Sequence, residues 1–300
     1  MYRCFVWVFL LSGIFSQSNI FAQEQDYESL SSEIESSFHF QTGDVILKKD
    51  FAHCQLPSNY QFLDSIQTRE MLINFWAESE NSAHHLGLIS NKTTSVFEPK
   101  ALVFTVDYIA DGHVSENKQS DLNEPSLFDH LKRSIDSSNI NRKQAGLEFI
   151  QISNWAMSPI YNAEKHALYW IEEIEIGDSR EKRLSANACI LGRTGYIRLS
   201  SIVLFSELKQ LLNEFPELSN RIQFYKNQEY TAFTSSEKHA HIDLDALILG
   251  HSLPDQHCGY PNYLFFEIAF SLMLMMGGLF WLMNRKNLFK KLPTCLEKTA

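Results

Sequence analysis

The sequence predicts an α+β domain outside the cytoplasm, with helices packed on an antiparallel sheet, followed by one C-terminal transmembrane helix. Between residues 147 and 204, apolar residues recur with a period of two in stretches joined by short links, which is typical of an antiparallel meander. Before and after this region, apolar residues recur at helical spacing behind N-cap residues. An apolar run at 263–283 corresponds to a helix of about 31 Å, close to the hydrocarbon thickness of a bilayer.

Residues 1–22 have the layout of a secretory signal peptide. Arg3 gives a positive start, residues 5–15 form an apolar core, and Ala22 offers a small residue for cleavage. The core is short for a bilayer span, which favours a signal peptide over the alternative of an uncleaved N-terminal anchor. The signal predicts that residues 23–262 are exported.

The first half of the exported chain alternates strands and helices. Leu30, Ile34 and Phe38 recur every four residues, which predicts a short docking helix in the acidic segment 23–40. Asp64 has the position of an N-cap. The predicted elements are a strand–turn–strand unit at 43–57, a helix at 65–76, strands at 84–90 and 101–110, a polar loop at 112–124, and a helix at 126–144 that Pro125 opens and Gly146 follows.

The second half of the exported chain is dominated by the meander. Glu172, Glu173 and Glu175 alternate faces and are predicted to lie mostly on a solvated edge. A helix from Glu207 is predicted to stop at Pro216. The four predicted strands occupy 147–156, 167–176, 183–191 and 196–204, within an α+β domain at 41–250 that a linker at 251–262 follows.

The flanks of the apolar run at 263–283 predict its orientation. Tyr263 and Trp281 lie near its ends, where aromatic side chains meet the membrane surface. The tail at 284–300 carries five basic residues, which places it in the cytoplasm by the positive-inside rule. The chain is therefore predicted to cross the membrane once and to contact lipid through 263–283.

The charge of the exported segment excludes one class of partner. Residues 23–262 carry 34 acidic and 20 basic side chains, a formal difference of −14 with neutral histidines. Such a surface repels polyanions, so nucleic acid is excluded as a partner. The same segment contains Cys54, Cys189 and Cys258, which allow either one disulfide of undetermined pairing or three unpaired, mostly buried thiols.

Six segments carry distinctive motifs. They read "TGDVIL" (42–47), "LPSNYQFLD" (56–64), "VDYIADGHV" (106–114), "NWAMSPIYNAEKHALYW" (154–170), "LGRTGYIRLSSIV" (191–203) and "YTAFTSSEKHAHIDLDALILG" (230–250). In this order the chain resembles DUF2167, a family of uncharacterised membrane-anchored bacterial proteins. The resemblance implies a single-pass protein of the bacterial inner membrane, with a periplasmic domain of no established activity. The motif residues singled out are Gly43, Asp44, Trp155, Pro159, Tyr161, His166, Trp170, Gly192, Arg193 and Gly195.

The segment 154–170 admits two interpretations. As a site, His166 is an acid, base or ligand and Tyr161 a hydroxyl donor, boxed by two tryptophans. As a structural corner, Trp155 and Trp170 pack across a strand pair, Pro159 shapes the turn, and His166 bonds the backbone. We favour the corner, because the sequence offers His166 no second titratable group at suitable spacing.

The pattern "HAHID" raises the question of a metal. On a strand, His239, His241 and Asp243 point to one side, as metal ligands do. No fourth ligand is evident, so neither a metal nor another cofactor is predicted.

The leading hypothesis is a non-enzymatic, membrane-anchored module that binds a protein or an envelope component. One alternative is a membrane-tethered hydrolase or metal-dependent enzyme that uses Tyr161, His166, His239 and His241. Another is a structural accessory subunit of a membrane complex.

Overall fold

The computed structural model of the protein describes residues 29–76, 85–116, 122, 125–179 and 181–251. All of them belong to the first of two compact units, which spans Met1–Pro261. Among these described residues, no helix is both long and apolar enough to cross a membrane. The predicted signal peptide, the transmembrane helix at 263–283 and the basic tail lie outside the described residues.

Twelve strands and five helices make up the described part of the chain. The strands are β1 (Asp44–Lys48), β2 (Ala52–Gln55), β3 (Tyr60–Asp64), β4 (His85–Asn91), β5 (Val103–Ile109), β6 (His113–Ser115), β7 (Ile150–Asn162), β8 (Ala167–Ile176), β9 (Arg183–Leu191), β10 (Tyr196–Leu204), β11 (Ile222–Phe224) and β12 (His239–Asp243). The helices are α1 (29–36), α2 (Ser65–Phe75), α3 (Pro125–Gln144), α4 (Leu208–Asn220) and α5 (Leu244–His251), with short 3-10 turns at Phe205–Glu207 and Tyr230–Ala232.

A seven-stranded antiparallel sheet organises the fold and confirms the predicted mixture of helices and antiparallel sheet. Its strand order is β3-β4-β5-β10-β9-β8-β7, so the four consecutive strands β7 to β10 form the predicted meander. In the meander, alternate residues point to opposite faces, and both faces of the central strands are covered. This double burial explains why β9 is buried over eight of its nine residues.

One face of the large sheet packs against a three-stranded sheet and α4. The small sheet has the order β1-β2-β11, and Val45, Ala52 and Ile222 turn inward from it. The residues that α4 contributes to this core are Leu211, Phe215 and Leu218. Pro216 lies inside α4, so the prediction that it stops the helix was wrong. Burial of this apolar stripe outweighs a cost of about 3 kcal/mol for a proline inside a helix.

Two pairs of helices cover the opposite face. Ile34 in α1 and Phe38 just after α1 pack in one cluster with residues of α2, whereas Leu30 is exposed. Asp64 caps α2 as predicted, since its Oδ1 atom accepts hydrogen bonds from the backbone N–H groups of Ile66 and Gln67. A second cluster joins α3 and α5 to β7 and β8.

Three local predictions need correction. Residues 113–115, predicted as part of a polar loop, form β6, which pairs in parallel with β12 far along the chain. Pro159 does not shape the turn, because β7 continues to Asn162 and Pro159 lies in an irregularity between Met157 and Ile160. A proline is tolerated there because β7 is an edge strand.

The third correction concerns Glu172, which is wholly buried rather than solvated. The Trp170 Nε1–H group donates a hydrogen bond of 2.9 Å to Glu172 Oε1. Trp155 lies opposite Glu172 in the strand pair, and it packs with Trp170 in the same cluster. Burial of this carboxylate therefore depends on a polar partner two residues earlier in the same strand.

A buried ion cluster joins three strands of the large sheet. Asp107 on β5 is 3% exposed and binds both Arg198 on β10 and His85 on β4. Burial would raise the pKa of Asp107, but the hydrogen bond from His85 and the charge of Arg198 hold it below its ordinary value. Asp107 is thus a buried anion with two partners.

The two described cysteines are free and buried. Cys54 lies in the core under the small sheet, and Cys189 lies in the cluster below α3 and α5. Burial raises the pKa of each thiol to about 12. A disulfide between these two residues is therefore absent, and Cys258 lies outside the described residues.

Candidate functional site

The candidate site lies where two hairpin turns meet the segment that precedes β12. The turn after β7 ends at His166, whose carbonyl accepts a hydrogen bond of 2.8 Å from the Leu191 N–H group. The turn between β9 and β10 follows, and its Arg193 N–H group donates to the Gln228 carbonyl at 2.9 Å. His113 on β6 donates its backbone N–H to the Lys238 carbonyl at 2.9 Å. Four of the six motif segments therefore contribute to one region.

A carboxylate, a phenol and an imidazole form the polar centre of this region. Glu116 directly follows β6, Tyr161 lies near the end of β7, and His166 begins the return into β8. The Tyr161 hydroxyl donates a short hydrogen bond to Glu116 Oε2, and His166 Nδ1 lies 3.3 Å from the same oxygen. The side chains of His166 and Glu116 are 24% and 30% exposed, so solvent or a ligand reaches both.

This arrangement keeps the Tyr161 phenol protonated. Burial, the hydrogen bond to Glu116 and the charge of Glu116 all raise the pKa of Tyr161 above its ordinary value. Tyr161 is therefore a permanent hydrogen-bond donor near neutral pH rather than an anion. Its effect is to orient the Glu116 carboxylate.

Four rings stack in a column beside this centre. The His166 ring stacks on Tyr230 with centroids 4.4 Å apart, and Tyr230 stacks on His113 at 4.2 Å. His113 in turn stacks on Phe233 at 3.9 Å. The Tyr230 hydroxyl donates to the Val114 carbonyl at 2.8 Å, and burial together with the charge of Glu116 raises the pKa of Tyr230 to about 12. We call the rings of His166, Tyr230, His113 and Phe233 the ring column.

An ion pair joins the β9–β10 turn to the segment before β12, which carries Tyr230 and Phe233 of the ring column. The Arg193 guanidinium donates from Nε to the Glu237 carboxylate at 2.9 and 3.0 Å and from Nη1 to the Asn227 carbonyl at 2.9 Å. The hydrogen bond from Arg193, together with donors on Thr234, lowers the pKa of Glu237 to about 2. Arg193, singled out as a motif residue, therefore has a positioning role here.

The glycines of the same turn permit close approach of the backbone. A Cβ atom on Gly192 would lie 2.7 Å from the Phe224 ring, and one on Gly195 would lie 2.1 Å from the Ile109 carbonyl oxygen. The motif pair Gly43 and Asp44 lies elsewhere, on the small sheet, where Asp44 Oδ1 is 2.7 Å from His53 Nδ1. The structure thus brings Tyr161, His166 and the turn of Gly192, Arg193 and Gly195 together, but not that pair.

The sequence failed to identify the partners of His166. The spacing of residues offered His166 no titratable partner, but in the structure Glu116 lies within hydrogen-bonding distance and Tyr230 stacks on its ring. Glu116 is 50 residues from His166 along the chain. The positive φ of 48° at His166 has no signature in the sequence, although it is uncommon for a residue other than glycine.

Of the three candidate metal ligands on β12, His239 lies beside the ring column. His239 contacts Phe233 and His113 edge-on, with centroids 4.7 and 6.2 Å away, and both His239 and His241 are exposed. The pairing of β12 with β6 is irregular between His239 and Asp243. Within the described part of the chain, no three His, Cys, Asp or Glu side chains form a group suited to a metal ion.

His113 makes the ring column sensitive to acid. Its Nδ1 atom is buried and has no hydrogen-bond partner among the described residues. Burial lowers the pKa of His113 from its ordinary value of 6.5, and the charge of His239 lowers it further. The hydrogen bonds to the Arg193 and Gly192 carbonyls and the charge of Glu116 raise the pKa, but by less. The folded state favours the neutral form of His113. The stabilisation that neutral His113 contributes to the fold is therefore fully present above pH 6.5, and it is lost as the pH falls from 6.5 toward the lowered pKa.

We therefore expect His113→Phe to lose less stability than the wild type when the pH is lowered from 7.5 to about 5. Phenylalanine keeps the stacking ring and removes the group that gains a proton. Thermal melts across this pH range measure the effect, with His130→Gln on the exposed side of α3 as the control. Identical pH dependence in His113→Phe and the wild type would refute this role of His113.

The family model described as "Protein of unknown function (DUF2167)" matches residues 39–276, a segment that includes every element from β1 to α5. No curated protein matches the chain. The solution structure of cyanobacterial PsbP (CyanoP) from Synechocystis sp. PCC 6803 is similar at 11% identity and a TM-score of 0.36, over 63% of this chain and 92% of that one.

Proposed function

Because the chain belongs to DUF2167, a family of proteins of unknown function, we propose its function from its own residues. It is a periplasmic module that binds a protein or an envelope component, and a single transmembrane helix at 263–283 holds it at the bacterial inner membrane. The bound component contacts the surface around Glu116, Tyr161, His166 and the ring column. The tether raises the effective concentration of this surface near the membrane.

One observation carries the proposal. Residues from β6, the end of β7, the β9–β10 turn and the 230–239 segment converge on a single half-exposed surface. Its polar groups are oriented by one another: Tyr161 and His166 hold Glu116, and Arg193 holds Glu237. Pre-oriented polar groups beside aromatic rings are typical of binding surfaces.

The described side chains suit binding better than nucleophilic catalysis. The raised pKa of Tyr161 makes its hydroxyl a poor nucleophile at neutral pH. Cys54 and Cys189 are buried thiols, and burial raises the pKa of each to about 12. A thiol in such a setting is inert.

The location of the protein is tested with sealed, right-side-out membrane vesicles. Protease added outside is expected to degrade residues 23–262 and to leave a small fragment that contains 263–300. The opposite orientation, in which the bulk of the chain survives, would contradict the proposed anchoring.

The binding function is tested by crosslinking in intact cells, followed by mass spectrometry of the captured species. We expect the same partner to be captured when an unrelated transmembrane sequence replaces residues 263–283, because binding occurs through the exported domain. Capture that depends on the native sequence at 263–283 would instead indicate an accessory subunit that contacts its complex through the helix.

A membrane-tethered hydrolase is the second candidate. The adjacency of His166 and Glu116 favours it, since a carboxylate beside an imidazole is a recurrent acid–base arrangement. His166→Asn tests it, because asparagine tolerates the positive φ at this position. Ester hydrolysis by the purified full chain that disappears in a stably folded His166→Asn variant would favour the hydrolase, and stoichiometric zinc would favour the metal-dependent form with His239 and His241.

A further inference from the structure

The Glu116 carboxylate has one engaged oxygen and one open oxygen. Both protein partners, the Tyr161 hydroxyl and His166 Nδ1, approach Oε2. Among the residues that the structure describes, none donates a hydrogen bond to Oε1. The Glu116 side chain is 30% exposed, so a partner can approach the carboxylate while Oε2 is held by Tyr161 and His166.

No cation of the described chain neutralises Glu116. Its one ion-pair partner within those residues is His166, at 3.3 Å. Arg193, the cation of the neighbouring turn, is committed to Glu237 and to the Asn227 carbonyl. Lys165 and Lys238 flank the site in sequence, but neither makes an ion pair within the described chain. The carboxylate is therefore oriented without a strong counter-charge.

The charge of the exported segment reinforces this local feature. Residues 23–262 have 14 more acidic than basic side chains, so their field attracts cations toward the surface. An oriented carboxylate with an open oxygen forms charge-assisted hydrogen bonds with ammonium and guanidinium groups. A long basic side chain also reaches a half-buried acceptor without requiring close contact of the two backbones.

From these observations we infer that Glu116 is the docking point for a lysine or arginine side chain of a protein partner. The inference rests on the proposed binding function and names the class of partner. Tyr161 and His166 are positioning residues for the carboxylate. The ring column forms the wall beside the bound basic side chain.

The test uses the full chain in an uncharged detergent and two fluorescent peptides, one rich in arginine and one with glutamine at each arginine position. Fluorescence anisotropy measures binding to the wild type, Glu116→Gln and Glu164→Gln. Glu164 is exposed in the turn before His166, so its substitution changes the net charge equally and leaves the carboxylate of Glu116 intact. Glutamine at position 116 keeps an acceptor for Tyr161 and His166, and thermal melts verify folding.

We expect the arginine peptide to bind the wild type and Glu164→Gln alike, and to bind Glu116→Gln at least about tenfold more weakly. The glutamine peptide is expected to bind the wild type at least about tenfold more weakly than the arginine peptide. Equal binding of the two peptides to the wild type would overturn the inference without any variant. Equal weakening by the two substitutions would also overturn it, because only general attraction to an acidic surface would then remain.

Failure of this inference is distinguishable from failure of the proposed function. If crosslinking in cells captures the same partner with the wild type and with Glu116→Gln, the chain is a binding module whose partner does not dock on Glu116. If neither protein captures a partner, the proposed function fails as well.

Discussion

Asp107→Asn is expected to lower the free energy of unfolding by about 3–5 kcal/mol, because it removes the anion of a buried ion cluster and leaves the charge of Arg198 uncompensated. Asp107 is 3% exposed, and its Oδ2 atom accepts hydrogen bonds from Arg198 at 2.9 and 3.2 Å. An amide cannot neutralise the guanidinium, and arginine does not lose its proton in proteins. Urea denaturation of the full chain in detergent, followed by tryptophan fluorescence, measures the change.

The control for Asp107→Asn is Asp129→Asn, a change of the same chemistry at an exposed position of α3. We expect it to alter the free energy of unfolding by no more than about 0.5 kcal/mol. The double variant Asp107→Asn/Arg198→Gln is expected to be more stable than Asp107→Asn alone, because it removes the uncompensated charge. A cost for Asp107→Asn as small as that of the control would show that the cluster does not stabilise the fold.

The Asp107 cluster also predicts a pH dependence. The pKa of Asp107 is lowered by His85 and Arg198 against the effect of burial, so its contribution is present above the ordinary value of 3.8. That contribution is lost as the pH falls from 3.8 toward the lowered pKa. We therefore expect the stability difference between the wild type and Asp107→Asn to shrink in this acidic range.

Gly195→Ala is the substitution near the candidate site with the largest expected effect. The new Cβ atom would lie 2.1 Å from the Ile109 carbonyl oxygen and 3.0 Å from the Tyr108 ring. The carbonyl belongs to the backbone of β5, so the β9–β10 turn must move away from the sheet. We expect a loss of at least about 3 kcal/mol in the free energy of unfolding, at the upper end of overpacking effects.

The matched control is Gly250→Ala, since a Cβ atom at Gly250 in α5 meets no atom within 4 Å. Alanine has the higher helix propensity, so this control is expected to gain up to about 1 kcal/mol. Partner capture by Gly195→Ala should fall with its stability, because Arg193 and Gly192 move with the turn. A Gly195→Ala protein as stable as the wild type would show that the turn tolerates displacement.

Local patterns predicted those elements whose partners lie nearby in the chain. The meander from β7 to β10 was predictable because each strand pairs with the next and its apolar residues alternate. The N-cap of α2 was predictable because Asp64 bonds to residues two and three positions later. In both cases the stabilising contacts are encoded in a short stretch of sequence.

Predictions were wrong where distant contacts decide the structure. The three residues of β6 are too few to show a period, and their partner β12 lies more than 120 residues later. Glu172 is buried because Trp170 donates a hydrogen bond to it within the core. Pro216 remains helical because the buried Leu211, Phe215 and Leu218 hold α4 in place.

The candidate site shows the same limit. Tyr161 and His166 were identified from one motif, but Glu116 lies 45 and 50 residues away from them in a segment that reads as a polar loop. Tyr230, which stacks on His166, is distant from it along the chain. The residue types suggested chemistry, but only the packing of four segments shows that they form one surface.

Site-specific photocrosslinking in intact cells tests most directly the claim that this surface binds a partner. A photoreactive amino acid replaces His239, which is exposed and contacts the rings of His113 and Phe233 edge-on, or Ile66, which is 78% exposed on α2 and outside the six motifs. We predict a discrete adduct of one partner from position 239 and none from position 66. An adduct of the same partner from position 66 with none from position 239 would contradict the claim.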